Sequence, residues 1–283
     1  MREHGDRRWF FRGGKNGSRS KGSVLLYRRA VANAIDRVGA NAPKNLATSR
    51  CGIPRSSGKA NIYARDAAAT KQGQHTLAKL YDGRFLLGLG VSHVPLVKDV
   101  RGHEYRPPVA TMRAYLEGMD KAAAIAPPLD EPPPTVLAAL GPQMIALAAR
   151  WTAGAVPYNV TPEHTARART IMGPNKWLCV EQKVLLVNEP TKAREIARQV
   201  MAFYLPLTNY RNNWNRSGFG DEDLEGGGSD RFLDGMVAWG SETAIRQRIQ
   251  AHFDAGANHV WIQPLHPDGH SLPDYNALTI LAS

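Results

Sequence analysis

The sequence predicts an α/β fold, a (β/α)8 TIM barrel with an insertion before the last strand and an atypical N-terminal quarter. Three observations carry that expectation. From about residue 58 onward, short apolar runs alternate with amphipathic stretches, the order that yields parallel strands joined by right-handed crossovers. The 283 residues suit the roughly 250 that a barrel of this type needs. Several helix-like stretches open on proline or a short polar residue, as first turns and caps prefer.

Lys59 to Tyr63 is the first strand of the clear region, and Asp66 is placed to cap a helix from Ala67 to Tyr81 that stops at Asp82-Gly83. Phe85 to Val91 is too short and too uniformly apolar for a surface helix and reads as a buried strand. Pro107-Pro108 opens a helix whose Val109, Met112, Leu116, Met119 and Ala123 recur at steps of three and four, one core-facing stripe. After a proline-rich break, Thr135 to Leu140 is a strand, and Gly141-Pro142 starts a helix with Met144, Leu147, Ala148 and Trp151 on one face. Ala155 to Val160 is strand-like, Thr161-Pro162 opens a helix to about Met172, Leu178 to Val187 is a long strand, and Pro190 to about Leu205 is a helix. The rhythm breaks at residues 206–230, an insertion holding NYRNNWN and the acidic GDEDLEGGGSD, which reads as a glycine-hinged lid or a surface excursion. Helices near Arg231 to Trp239 and Glu242 to Ala255, a strand at His259 to Gln263 and a helix at Asp274 to Leu281 follow.

These are six strands, so a full barrel needs two more from residues 1–57. Val24 to Tyr27 with Arg28 to Val38 offers one strand and helix, whereas CGIPRSSG reads as a turn. The expected organisation is a flexible basic arm at 1–30 and a single barrel domain at 31–283.

Net charge is +11, but residues 1–30 carry nine Lys/Arg against Glu3 and Asp6, so most of the excess sits in that arm. A Gly, Ser, Arg and Lys-rich arm reads as solvated, which argues against nucleic acid as the main partner. No apolar run approaches a membrane span, and the N-terminus lacks a long apolar signal core, so a soluble, cytoplasmic protein is expected. Cys51 and Cys179 lie far apart and suggest neither a disulfide framework nor zinc. His266 and His270 have no third ligand evident, so no metal is expected.

The segment RFLLGLGVSHVPLV raises the question of a dinucleotide turn. His93 stands where the third glycine should be, and a helix is expected only after a long loop, so that fingerprint fails. Gly88 and Gly90 read instead as clearance inside a strand for a second backbone or a flat ligand. Ser92 and His93 then stand at the strand's carboxyl end, where barrel sites lie, and a histidine there suits proton transfer. Gly141, Pro142 and the free amides of Gln143 and Met144 form a helix start that favours an anion. Tyr158, with Asn159 and Thr161, follows another strand end.

GRFLLGLGVSH, LAALGPQMIALAA, YNVTPEHTARAR and DAGANHVWIQPL, in that order over about residues 58–265, resemble the luciferase-like flavin and deazaflavin oxidoreductases, in particular the F420-dependent subgroup of actinobacteria. The resemblance implies hydride transfer between coenzyme F420 and a small organic substrate, and often a homodimer. It implies a cis peptide beneath the deazaflavin within Gly58-Lys59-Ala60-Asn61, where relatives usually have an aliphatic residue in place of Lys59. It also implies ring contacts from Gly58, Lys59, Asn61, Gly88, Gly90 and Ser92, and a phosphate-bearing tail on Ala138, Ala139, Gly141, Pro142, Gln143 and Met144. His93 is the expected catalytic residue; Tyr158, Asn213 and Trp214 are the expected substrate residues. An FMN-dependent monooxygenase, or a non-catalytic barrel with a basic interaction arm, is the alternative.

Overall fold

A computed structural model describes residues 23–26, 55–56, 59–123, 125, 129 and 131–282. The basic arm apart from 23–26, the Arg28 to Val38 helix and Gly58 lie outside them. The chain runs β1 (Ser23–Leu26), β2 (Arg55–Ser56), β3 (Ala60–Asn61), α1 (Ala67–Leu80), β4 (Phe85–Gly90), α2 (Val94–Lys98), α3 (Pro108–Lys121), β5 (Thr135–Leu137), α4 (Pro142–Trp151) and β6 (Gly154–Ala155). It continues through α5 (Pro162–Met172), β7 (Trp177–Leu185), α6 (Pro190–Met201), α7 (Thr208–Arg216), α8 (Asp221–Leu224), α9 (Asp230–Met236), β8 (Val237–Trp239), α10 (Glu242–Asp254), β9 (His259–Pro264) and α11 (Tyr275–Ala282).

Every strand pair is parallel. The pairing path β1-β9-β7-β6-β5-β4-β2 makes a curled sheet of TIM-barrel type, with β3 also on β4 and β8 also on β7. Arg55 lies opposite Phe85 and Ala60 opposite Leu89, so the register slips by one residue between β2 and β3.

The period-two alternation of strands sorts the core into two layers. Leu178, Val180 and Val184 of β7 pack with Ile145, Ala148, Ala168, Ile245 and Ile249 in the layer between sheet and helices. Cys179, on the opposite face of β7, packs with Leu86, Val136, Val156 and Trp261 inside the curl. Its thiol is pushed up to about 12 by burial, so it is an inert core group.

Several elements differ from expectation. Val237–Trp239 is a strand on β7 and not the end of a helix; at three residues its apolar run is indistinguishable from the end of α9. Part of the turn-like CGIPRSSG is β2. Only Gly154–Ala155 of the segment near 155–160 pairs as strand. Trp151 is 39% exposed and does not join the buried face of α4. α2 starts directly after His93, where a long loop was expected. The 206–230 insertion is no open lid: α7 and α8 fold over their own core of Tyr210, Trp214, Phe219, Leu224 and Phe232. No helix among the described residues is long and apolar enough to cross a membrane.

A polar strut ties sheet to helices. Fully buried His252 of α10 donates from Nε2 to Gln182 Oε1 at 3.0 Å and accepts at Nδ1 from the Thr165 hydroxyl at 2.9 Å. Burial lowers its pKa to about 3, and likewise lowers His164 and His259 to about 4. An unfolded histidine takes a proton near pH 6.5, whereas these three stay neutral in the fold. Stability is therefore fully present above about pH 6.5 and falls by about 1.4 kcal/mol per pH unit for each as pH drops below that value. Urea unfolding at pH 7, 6, 5.5 and 5 should show a falling midpoint, with a shallower slope in His252→Gln; a flat profile would contradict the assignment.

Candidate active site

The carboxyl ends of the strands gather a polar cluster on the inner face of the sheet. Glu181 and Lys183 sit two apart on β7 and share the face of Cys179. Both are buried, at 5% and 0% exposure, and pair at 3.3 Å. Lys183 also donates to Asn159 Oδ1, and the Asn159 backbone N–H donates to Glu181 Oε2 at 3.3 Å. Asn159 holds the left-handed conformation, φ 55°, which asparagine tolerates, and Trp214 Nε1 donates to its carbonyl at 3.0 Å. Burial lowers the pKa of Lys183 while Glu181 opposes that shift.

Tyr158 lies above this pair. Its hydroxyl donates to Gln263 Oε1 of β9 at 2.7 Å and lies 3.0 Å from the Tyr204 hydroxyl. Burial, with Glu181 second, raises its pKa well above the usual phenol value, so it stays protonated. The Lys183 ammonium lies 4.0 Å from the ring centroid and the Lys59 ammonium 3.8 Å. Lys59 is partly exposed as a residue, and burial lowers its pKa to about 7; Glu181 opposes the shift and Lys183 adds to it.

His93 completes the wall. It is half-buried, donates from Nδ1 to Asn209 Oδ1 at 3.1 Å, and its ring centroid lies 5.5 Å from that of Tyr210. Burial is the main cause lowering its pKa, Asn209 opposes and Lys59 reinforces, so the ring is neutral at pH 7. Ser92, just before it, has φ 58°, a conformation that costs a non-glycine residue about 1–3 kcal/mol and recurs at functional sites.

Of the residues expected at the site, Lys59, Ser92, His93 and Tyr158 lie at or beside these strand ends, with Asn61 on β3, Gly88 and Gly90 on β4, and Ala138 just after β5. The space left by Gly90 is not vacant: an added Cβ would meet Ala138 Cβ at 3.3 Å and Lys59 Cβ at 3.8 Å. The clearance accommodates protein side chains. The Lys59–Ala60 and Ala60–Asn61 peptides are trans, so the implied cis bond is absent there, and Gly58 is outside the described residues. Ala139 and Met144 are buried in the sheet–helix layer, whereas Gly141, Pro142 and Gln143 are at least partly exposed at the start of α4. Asn213 and Trp214 are buried behind Tyr210, not displayed on a lid.

Sequence reasoning missed Glu181, Lys183, Gln263, Tyr204, Tyr210, Asn209 and Arg216. The signal available was Glu-Gln-Lys inside the otherwise apolar LCVEQKVLLV: charges two apart in a strand buried on both faces must meet one another inside. The metal expectation also changes in detail. Asp268 is a third group, and ligand atoms of His266, Asp268 and His270 lie within 4.8 Å of one another. Yet His266 Nδ1 and His270 Nδ1 each accept a backbone N–H, at 3.2 and 3.3 Å, and the two rings stack at 3.5 Å. An open depression of about 680 Å³ between α3 and α4 is lined by residues such as Arg113, Glu117, Leu147 and Trp151. Its ionisable lining residues, Arg113, Glu117 and Arg150, are at least partly exposed.

A family model described as luciferase-like monooxygenase matches residues 47–259. Among solved structures, the coenzyme F420-dependent tetrahydromethanopterin reductase of Methanopyrus kandleri is similar over 92% of this chain and 97% of its own, with a TM-score of 0.66 and 14% identity. An F420-dependent secondary alcohol dehydrogenase holding an F420-acetone adduct is similar over 86% and 93%, at 0.61 and 12%. The oxygenating constituent of 3,6-diketocamphane monooxygenase from Pseudomonas putida, in complex with FMN, is similar over 86% and 91%, at 0.54 and 14%. No curated protein matches by sequence.

Glu181 is the carboxylate within ion-pair distance of Lys183 among the described residues. Removing one member of a buried pair leaves an uncompensated charge, at a cost of about 3–5 kcal/mol, whereas replacing both with apolar groups is often neutral. Glu181→Gln should therefore lower unfolding free energy by about that amount, and Glu181→Leu with Lys183→Met should recover most of it. Urea denaturation of the three proteins checks this; equal losses in single and double variants would show that the pair is not coupled.

Proposed function

The chain belongs to the luciferase-like monooxygenase family, and on that premise we propose that it is an F420-dependent oxidoreductase acting on a small organic substrate. The observation that carries this reading is the start of α4, beside the end of β5. Gly141 is the N-cap and offers no side-chain cap, so the first amides of the helix lack that partner. A Cβ at Gly141 would lie 3.4 Å from Nη2 of Arg216, which places a guanidinium against the same helix start. Free amides, the positive end of a ten-residue helix and an exposed arginine suit a phosphate-bearing tail.

When bound, the deazaflavin supplies the hydride chemistry. The chain's own groups bind, orient and handle protons. Gly141, Gln143 and Arg216 hold the anionic tail. Asn209 fixes the His93 proton on Nδ1, which leaves Nε2 as the atom that takes a proton, and the lowered pKa keeps that nitrogen unprotonated at neutral pH. Tyr158, protonated and oriented by Gln263, is a hydrogen-bonding group rather than a base. A flavin-dependent monooxygenase is the second reading, supported by the FMN complex among the similar structures.

Separate titrations of the full chain with coenzyme F420 and with FMN, followed by absorbance and fluorescence, test both. F420 is expected to bind, with FMN at least tenfold weaker. A charged hydrogen bond is worth about 1.5–3 kcal/mol, so Arg216→Ala should weaken F420 binding by roughly 10- to 100-fold. Tighter FMN binding would favour the second reading, and binding of neither would overturn both.

A further inference from the structure

Lys59 differs from the two buried charges of the mouth, Glu181 and Lys183. Lys183 has Glu181 and Asn159, and Glu181 has Lys183 and the Asn159 amide. No carboxylate among the described residues lies within ion-pair distance of the Lys59 ammonium, whose close contact is the face of Tyr158. A cation–π contact contributes about 0.5–2 kcal/mol. Burying an ammonium costs several kcal/mol. The ring alone does not compensate the charge.

The surroundings sharpen the deficit. The groups facing Lys59 are Lys183 and Glu181 from β7, Tyr158 beyond β6 and His93 beyond β4. With Glu181 committed to Lys183, the described residues of the mouth carry one positive charge in excess whenever Lys59 is protonated. Tyr158, Tyr204 and Tyr210 stand together beside it, with Tyr204 5.6 Å and Tyr210 6.4 Å from Tyr158 by ring centroids. A cation without a counter-ion among the described residues, beside aromatic rings, suits a planar molecule that brings its own negative oxygen.

We propose that Lys59 is the specificity-determining residue of the mouth, anchoring an acidic substrate through a carboxylate, phenolate or enolate oxygen that supplies the missing counter-charge. The proposal rests on the mouth being the substrate site, but it does not depend on which cofactor serves it. Because the ammonium loses its proton near pH 7, the preference for an anion is strong below that pH and fades above it. His93, with its pKa below the ordinary histidine value, is neutral through most of the window.

Benzoate and its neutral isostere benzamide are the probes, with dissociation constants measured by calorimetry at pH 6, 7 and 8 for the full chain and for Lys59→Met and Lys59→Arg. Benzoate should bind the natural chain at least tenfold more tightly than benzamide at pH 6, and most of that preference should be lost by pH 8. Lys59→Arg, which stays charged, should keep the preference at every pH; Lys59→Met should lack it. Equal binding of the two probes to the natural chain, a preference that survives in Lys59→Met, or a pH dependence unchanged in Lys59→Arg would each overturn the proposal. Coenzyme titrations are read separately. Loss of F420 and FMN binding with the benzoate preference intact would remove the proposed function and leave this inference standing, and the reverse result would do the opposite.

Discussion

A charge cannot sit inside a sheet without company, and the Glu181–Lys183 pair sets the terms for everything around it. The two side chains point into the curl from the centre of β7, a strand that pairs with β6, β8 and β9. Their mutual attraction offsets desolvation only with added hydrogen bonds, and Asn159 supplies those from both its amide oxygen and its backbone N–H. Asn159 is in turn held by Trp214 of the insertion. The insertion, a small helical unit with its own apolar core, is thus joined to the sheet interior by a polar contact.

The same pair divides the inner face of the sheet into a floor and a mouth. Below it, Leu86, Val136, Cys179 and Trp261 pack as an apolar layer. Above it, Tyr158, Gln263, Lys59 and His93 offer donors, a base and a positive charge at the carboxyl ends of parallel strands. Outside the sheet, His252 and Gln182 play the complementary part: a neutral, fully bonded polar strut with no access to solvent and no chemistry to perform. Histidines of equal sequence prominence thus have opposite surroundings, half-buried beside Asn209 for His93 and fully buried between Thr165 and Gln182 for His252.

Much of the fold was legible because strand and helix patterns differ in period and because caps announce helix starts. Asp66 caps α1, and the Met112, Leu116 and Met119 stripe is buried as the spacing requires. Short strands were harder: β8 and β6 have too few residues to display a period, and only their partners on β7 identify them. Of the candidate site, the placement of His93 and Tyr158 just beyond strands was legible. Lys59 was visible only as a departure from the usual residue, and Asn209 and Arg216 were out of reach, because their roles come from a helix in the insertion that no local pattern connects to His93 or Gly141.

The paired glycines of RFLLGLGVSHVPLV and Lys59 are best understood together. Gly88 and Gly90 fall on the face of β4 that Leu86 directs into the curl, so each removes a side chain from the interior. A Cβ at 90 would press on Ala138 Cβ at 3.3 Å and reach ordinary contact with Lys59 Cβ at 3.8 Å. The room left by Gly90 is thus closed by Ala138, beside the lysine that carries the charge. The ligand that best answers such a charge is one that carries the opposite sign.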